Sequence, residues 1–297
     1  MAELAAPIPA SRRRAGVLRR PVSLRGVLAM CGAVVLALEI GMAIGAPWVA
    51  PSSPLAQDLA SRLKPPGWVD AAGTRHWLGT DTLGRDVLSR VIFGSRVSLV
   101  VGCASVMISA PLGLATGMTS AYYGRALDAV LMRIADVQLA FPLILLVIAI
   151  VAVVGPSLLN LILVLGISGW VIYARVVRSE TITLRAKEFT EAARAQGASD
   201  GRIIFRHILP NTISSVVVLA TATVAYMILL ESSLSFLGLG VQPPTPSWGG
   251  MVSEGRNYVS LAWWLSVFPG VGIFVTVLAV NFIGDRMRDV LDPHLTL

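Results

Sequence analysis

Six apolar runs, at residues 26–50, 97–121, 137–155, 157–174, 212–230 and 259–284, alternate with polar segments along the chain. Each comes close to the ~20 mostly apolar residues that cross a bilayer as a helix. The third and fourth are separated only by Gly155 and Pro156, a turn that forces an antiparallel hairpin. One polar interruption, residues 180–211, carries a pattern of its own: ETITLRAKEFTEAARAQGASDGRIIFRHILPN. Residues 180–196 contain no Gly or Pro, and Ile182, Ala186, Phe189 and Ala193 recur at helical spacing as one apolar stripe. Leu184, Glu188, Glu191, Ala192 and Ala195 share a second face, small and acidic. Gly197 is suited to the left-handed residue that ends a helix, and Ser199 to the N-cap of the next. That second helix is predicted to stop near Leu209, because Pro210 cannot continue it. The segment reads as helix, glycine corner and short helix, lying on the membrane surface between the fourth and fifth spans.

Composition agrees with a membrane protein: 55% of the 297 residues are hydrophobic and 14% charged, outside the range of soluble domains. The net charge of +7 does not point to nucleic acid, because the basic residues flank the apolar runs. They also orient the chain. Residues 1–25, 122–136, 175–211 and 285–297 hold six, two, seven and two Lys/Arg, whereas residues 155–157 hold none and residues 231–258 only Arg256. The positive-inside rule then makes both termini and the 180–211 segment cytoplasmic. Residues 51–96 hold six, but long loops translocate largely regardless of charge. The expected layout is a cytoplasmic tail over 1–25, poorly ordered, a transmembrane domain over 26–284 with external loops at 51–96 and 231–258, and a cytoplasmic tail over 285–297. A secretory signal competes for the first run. Its length and the five runs after it favour a retained anchor.

The chain offers little for catalysis. It has no Ser/His/Asp or Cys/His set in a supporting context, no HExxH or GxSxG, and no phosphate loop of the form G-x-x-x-x-G-K-[ST]. The absent phosphate loop implies that any ATP hydrolysis belongs to another chain. Cys31 and Cys103 lie in apolar runs, and His76, His207 and His294 are scattered, so no disulfide or metal framework is expected. Glu39, in mid-span, is expected to face other helices as a protonated or partnered carboxyl. Asn281 is expected to act as interhelical glue. Pro111, Pro142 and Pro269 are placed to bend spans, and Gly102, Gly113 and Gly117 with Ala104 and Ala115 to let helices approach closely. Trp68, Trp77 and Trp248 are candidates for interfacial anchors, an alternative to a direct role of these loops in receiving cargo.

The run EAARAQG, nine further residues and then HILP resembles the EAA loop of ABC-transporter permease subunits: Glu191, Ala192, Ala193, Gly197, Leu209 and Pro210 match, while His207 stands in the general pattern's Ile slot. The RHILPN form, LGTDTLGRD and LSFLGLGVQPPTPSWG resemble the C-type permease of the peptide/nickel subfamily, from about His76 to DPHL at 292–295. Before His76 only the general layout matches. The resemblance implies an all-α fold of six transmembrane helices, with a cytoplasmic coupling helix that docks on an ATPase. It makes Glu188, Glu191, Ala192, Ala193, Gly197, His207, Leu209 and Pro210 the ATPase-coupling residues. It implies a paralogous permease as heterodimer partner, one or two ATPase subunits and an extracytoplasmic substrate-binding protein. No cofactor is expected on this chain, with ATP and magnesium on the partner ATPase. Di- or oligopeptide is the expected cargo, with nickel, glutathione and haem as the other cargoes in view. Two rivals are an ion-coupled secondary transporter, for which no inverted repeat is visible, and an intramembrane enzyme, for which the sequence shows no nucleophile or metal set; for the 180–211 segment alone the rival is an amphipathic connector without a docking role.

Overall fold

The computed structural model describes residues 24–291. The helices are α1 (Leu24–Ile44), α2 (Ala46–Val49), α3 (Val87–Tyr123), α4 (Arg125–Leu139), α5 (Leu143–Val154), α6 (Leu158–Ser168), α7 (Trp170–Arg185), α8 (Glu188–Ala195), α9 (Asp200–Ile203), α10 (Leu209–Phe236), α11 (Trp248–Gly255) and α12 (Trp264–Leu291). Among the described residues, strands occur only between α2 and α3. There β1 (Trp68–Val69) and β2 (Arg75–His76) pair antiparallel, with Trp68 opposite His76. Most of the tail expected over 1–25, and the DPHL motif at 292–295, lie outside the described residues.

Among the described residues, five helical stretches are long and apolar enough to cross a bilayer: Gly26–Ile44, Val87–Tyr123, Leu158–Arg185, Asp200–Phe236 and Trp264–Leu291. A sixth exists if α4 and α5 count together, and they meet at an 86° bend. The third apolar run is therefore not one straight span. Pro142 has no N–H to continue a helix and stands in extended backbone as the N-cap of α5. Gln138 holds the bend: its Nε2 donates to the Ser168 carbonyl at 2.5 Å, and its Oε1 accepts from Trp170 Nε1 at 2.9 Å. One amide side chain thus ties the α4–α5 bend to the α6–α7 junction. Pro111 and Pro269, by contrast, lie within the unbroken helices α3 and α12.

α3 is the central element, packing on α6, α7 and α10. Val101, Leu165, Tyr173 and Leu234 lie in the main core. Gly113 and Gly117 give α3 its close seat on α7. A Cβ at Gly117 would stand 2.4 Å from the Ala174 carbonyl oxygen, and one at Gly113 2.4 Å from Tyr173 Cβ. Ala115 is exposed and takes no part in this contact.

Several expected boundaries move. The second apolar helix begins ten residues early, because Asp86 caps it by accepting from Ser89 N at 2.7 Å. The last helix runs to Leu291, through most of the expected tail. Asn281 is exposed and donates at 2.9 Å to Val277 O in its own helix, so it glues nothing across helices. Glu39 does face a neighbour: it is buried, and its carboxyl meets Thr276 of α12.

Candidate coupling site

The helix expected over 180–196 is two helices. α7 ends at Arg185, and Lys187 takes extended backbone before α8 starts at Glu188. Propensity alone would carry a helix through this point. Thr190 is wholly buried, and its hydroxyl donates at 2.8 Å to the Leu184 carbonyl, which Lys187 N also reaches at 3.2 Å across the break. The break turns α8 relative to α7, so the four-residue stripe does not survive as one buried face. Ile182 and Phe189 are 42% and 40% exposed, and only Ala193 of the four is buried. Thr190 and Ala193 are the residues that hold α8 down. Glu188, Glu191, Ala192 and Ala195 all face outward.

The corner follows the local sequence closely. Gly197 has φ +81°, Ala198 N donates to Ala193 O at 3.1 Å and Gly197 N to Arg194 O at 3.0 Å. These two bonds form a Schellman cap, which requires a left-handed residue at this position. Ser199 caps α9 by accepting from Arg202 N. The predicted stop near Leu209 does not occur. Ile204–Ile208 form a π turn, with Leu209 N donating to Ile204 O, and α10 starts at once with Pro210 in its first turn. Proline lacks the N–H that a continuing α turn would need but is tolerated in a first turn, and the wider turn carries the chain past it. Ile203 and Ile208 are wholly buried beneath this turn. His207 is half-buried, its ring 6.3 Å from that of Phe189, while Leu209 is half-buried and Pro210 exposed.

Three contacts that the sequence pattern did not single out brace the segment against α3 and α4. Arg185 Nη1 donates to the carbonyls of Ala121 at 3.0 Å and Tyr122 at 2.8 Å, placing a cation where the last carbonyls of α3 emerge. Tyr122 donates its hydroxyl to Asp200 at 2.6 Å, fastening the start of α9. Arg178 grips Asp128 with two bonds of 2.7 Å each, and Ser120 also donates to Asp128. In the sequence these arginines carry only an orientation signal. Their acceptors lie 50 to 64 residues away, and no spacing rule finds them.

The two loops read as candidate receiving surfaces are joined by a buried ionic knot. Asp81 accepts from the Leu83 and Arg85 amides, from Arg85 Nε at 2.6 Å and from Arg90 Nη1. Both guanidiniums also reach Glu254 of α11, Arg85 Nη2 at 3.0 Å and Arg90 Nη1 at 2.7 Å. Beside the knot, His76 Nδ1 lies 2.9 Å from Asp86 Oδ1. Trp248 is 2% exposed and donates to Val91 O at 2.9 Å, so it is a core residue and not an interfacial anchor. Trp77 is exposed under the Arg75 guanidinium, and Trp68 stacks on His76.

With this architecture in place, comparison with known proteins assigns it. Residues 109–297 match the family described as the binding-protein-dependent transport system inner membrane component. The chain belongs to this family. Residues 25–66 match the N-terminal transmembrane domain of oligopeptide transport permease C, so the likeness reaches further toward the N-terminus than the motifs alone suggest. A putative peptide transport system permease protein of Brucella abortus is 44% identical over 266 residues, 90% of this chain and 88% of that one. The dipeptide transport system permease protein DppC of Alkalihalophilus pseudofirmus is 44% identical over 268 residues, 90% of this chain and 86% of that one. The glutathione transport system permease protein GsiD of Escherichia coli is 44% identical over 268 residues, 90% and 87% of the two chains. In fold, the chain resembles an inward-facing MetNI methionine ABC transporter (TM-score 0.56, 20% identity, 68% of this chain and 96% of that one). The protein is therefore a multi-pass permease subunit of an ATP-driven, binding-protein-dependent importer, set in the cell membrane, and the secondary-transporter reading falls away.

Proposed function

We propose that this permease carries di- or oligopeptides as one half of a heterodimer with a paralogous permease, and that α8 with its corner is the surface that couples it to the ATPase. In this reading there are six spans, with α4 and α5 as the bent third. Both termini and residues 180–211 are cytoplasmic, and the ionic knot is external, where a substrate-binding protein would deliver cargo. ATP and magnesium are held by the ATPase subunits, and this chain hydrolyses nothing. The peptide transport of the similar permeases supports the cargo. The observation that carries the coupling role is the build of α8. Its small acidic face, Glu188, Glu191 and Ala192, is exposed, while Thr190, Ala193, Arg185 and Tyr122 fix its underside to the transmembrane helices. A push on such a face would pass into α3, α7 and α10 with little give.

Two substitutions test it in the assembled transporter. Glu191→Lys reverses a charge on the proposed dock, where like charges cost several kcal/mol, and is expected to weaken ATPase association by about a hundredfold. Gly197→Val meets no atom within 4 Å, so its effect is purely conformational. A β-branched residue at φ +81° adds about 1–2 kcal/mol of strain and displaces the Schellman cap. Transport in proteoliposomes is expected to fall by about tenfold or more for either variant, with membrane insertion and permease pairing normal. Wild-type transport by both would reduce this segment to a connector.

A further inference from the structure

Beside the coupling segment, between α7, α10 and α12, lies a cavity of about 720 Å³. It is a broadly open groove, with a volume in the range of small-ligand sites. Glu180, on α7, lines it. Its carboxyl touches Ser215, yet Oε2 is buried and accepts no hydrogen bond. A buried carboxylate oxygen without a donor is costly, and a cation supplied from outside would relieve it. Two cationic side chains, Lys187 and Arg288, line the same cavity, as does the amide of Asn211. The walls therefore offer one acid seeking a donor, two cations able to take an anion, and an amide and hydroxyl suited to a peptide bond. Further along α10 lies a second cavity of about 460 Å³, which shares Leu219 and Ala222 of its wall with the first. The second cavity opens between Phe141 at the α4–α5 bend and Gly169 at the α6–α7 junction. Polar and apolar chambers thus follow one face of α10 in line.

We infer that the α7–α10–α12 cavity binds a short zwitterionic peptide in transit, its ammonium group on Glu180 and its carboxylate beside Lys187 and Arg288. This site rests on the peptide-importer reading and adds where, and by which groups, this permease holds the cargo. A zwitterionic lipid headgroup shares the ammonium chemistry, so the test must separate the two.

The test uses the complete transporter without nucleotide, in phosphatidylcholine vesicles, with Cys31→Ser, Cys103→Ser and a reporter Ala222→Cys. Labelling of the reporter by a membrane-impermeant maleimide is expected to slow about tenfold at saturating alanyl-alanine, since the rate follows the unoccupied fraction. N-acetyl-alanyl-alanine amide, which carries neither charge, is expected to leave the rate unchanged. Glu180→Gln should raise the dipeptide concentration for half-protection about tenfold, the loss of one charge-assisted hydrogen bond, and Glu180→Asp should recover part of it. Equal protection by the blocked dipeptide, no shift in Glu180→Gln, or no protection while alanyl-alanine is still transported would overturn the site and leave the importer reading standing. Protection by phosphatidylethanolamine in place of dipeptide would assign the cavity to a lipid and overturn it as well. If the wild type transports neither alanyl-alanine nor an oligoalanine, the peptide-importer reading itself fails and the site falls with it; if it transports only the oligoalanine, that peptide takes the place of alanyl-alanine in the same assay.

Discussion

Asp81→Ala is expected to be among the most damaging single substitutions in the chain, although it lies far from the proposed ATPase dock. It leaves the Arg85 and Arg90 guanidiniums, 7% and 5% exposed in their side chains, facing a hole where their shared carboxylate stood. It also frees the Leu83 and Arg85 amides that Asp81 accepts. Removing one partner from a buried ionic group costs about 3–5 kcal/mol, chiefly because uncompensated charge stays behind. The expected result is a much lower midpoint of heat-induced aggregation for the purified complex in detergent. Glu254→Gln should do far less harm, because the Glu254 side chain is 35% exposed and water can replace part of what is lost. If Asp81→Ala unfolds with the wild type, the knot does not hold α11 to the start of α3.

The second large effect is expected at the α3–α7 contact. Gly117→Val puts its first carbon 2.4 Å from the Ala174 carbonyl oxygen and 3.0 Å from the Ala174 Cα. Both neighbours are backbone atoms of a helix, so no side chain can rotate away and the helices must part. Overpacking of this kind commonly costs up to about 3 kcal/mol, and a backbone clash stands at the upper end. Parting α3 from α7 also disturbs Arg185, whose two acceptors are the carbonyls of Ala121 and Tyr122. Loss of folded permease in the membrane fraction is therefore expected, with Ala115→Val as the control on an exposed face of the same helix. Equal accumulation of the two variants would mean that the close approach is not needed.

What could be read from the sequence was local. Hydropathy located α1, α3, α10, α12 and the α6–α7 stretch but not α4, most of which read as the cytoplasmic connection 122–136, and Gly197 and Ser199 take the cap positions assigned to them because a cap depends on its own few residues. Tertiary contacts were hidden. Residues 87–96 read as part of the external loop, yet they are helical, with Asp86 as the cap and Arg90 paired to Glu254, 164 residues away. The split at Lys187 was invisible because residues 180–196 favour helix throughout, and the decision falls to buried Thr190. Pro210 reads as a stop until the π turn before it is known. Of the eight proposed coupling residues, Glu188, Glu191, Ala192, Gly197 and Pro210 lie on the surface, Ala193 is buried, and His207 and Leu209 are half-buried under the corner. The exposed ones offer most of the surface for a partner. The others support them, as do Arg178, Arg185 and Tyr122, which pattern alone did not reveal.

The exposed acidic face of α8 is expected to meet the ATPase. A photoreactive amino acid in place of Glu191, irradiated in the complete transporter, tests this most directly. A crosslink to the ATPase subunit is expected, lost when Gly197→Val is added. A crosslink only to lipid, to the binding protein or to the partner permease would contradict it.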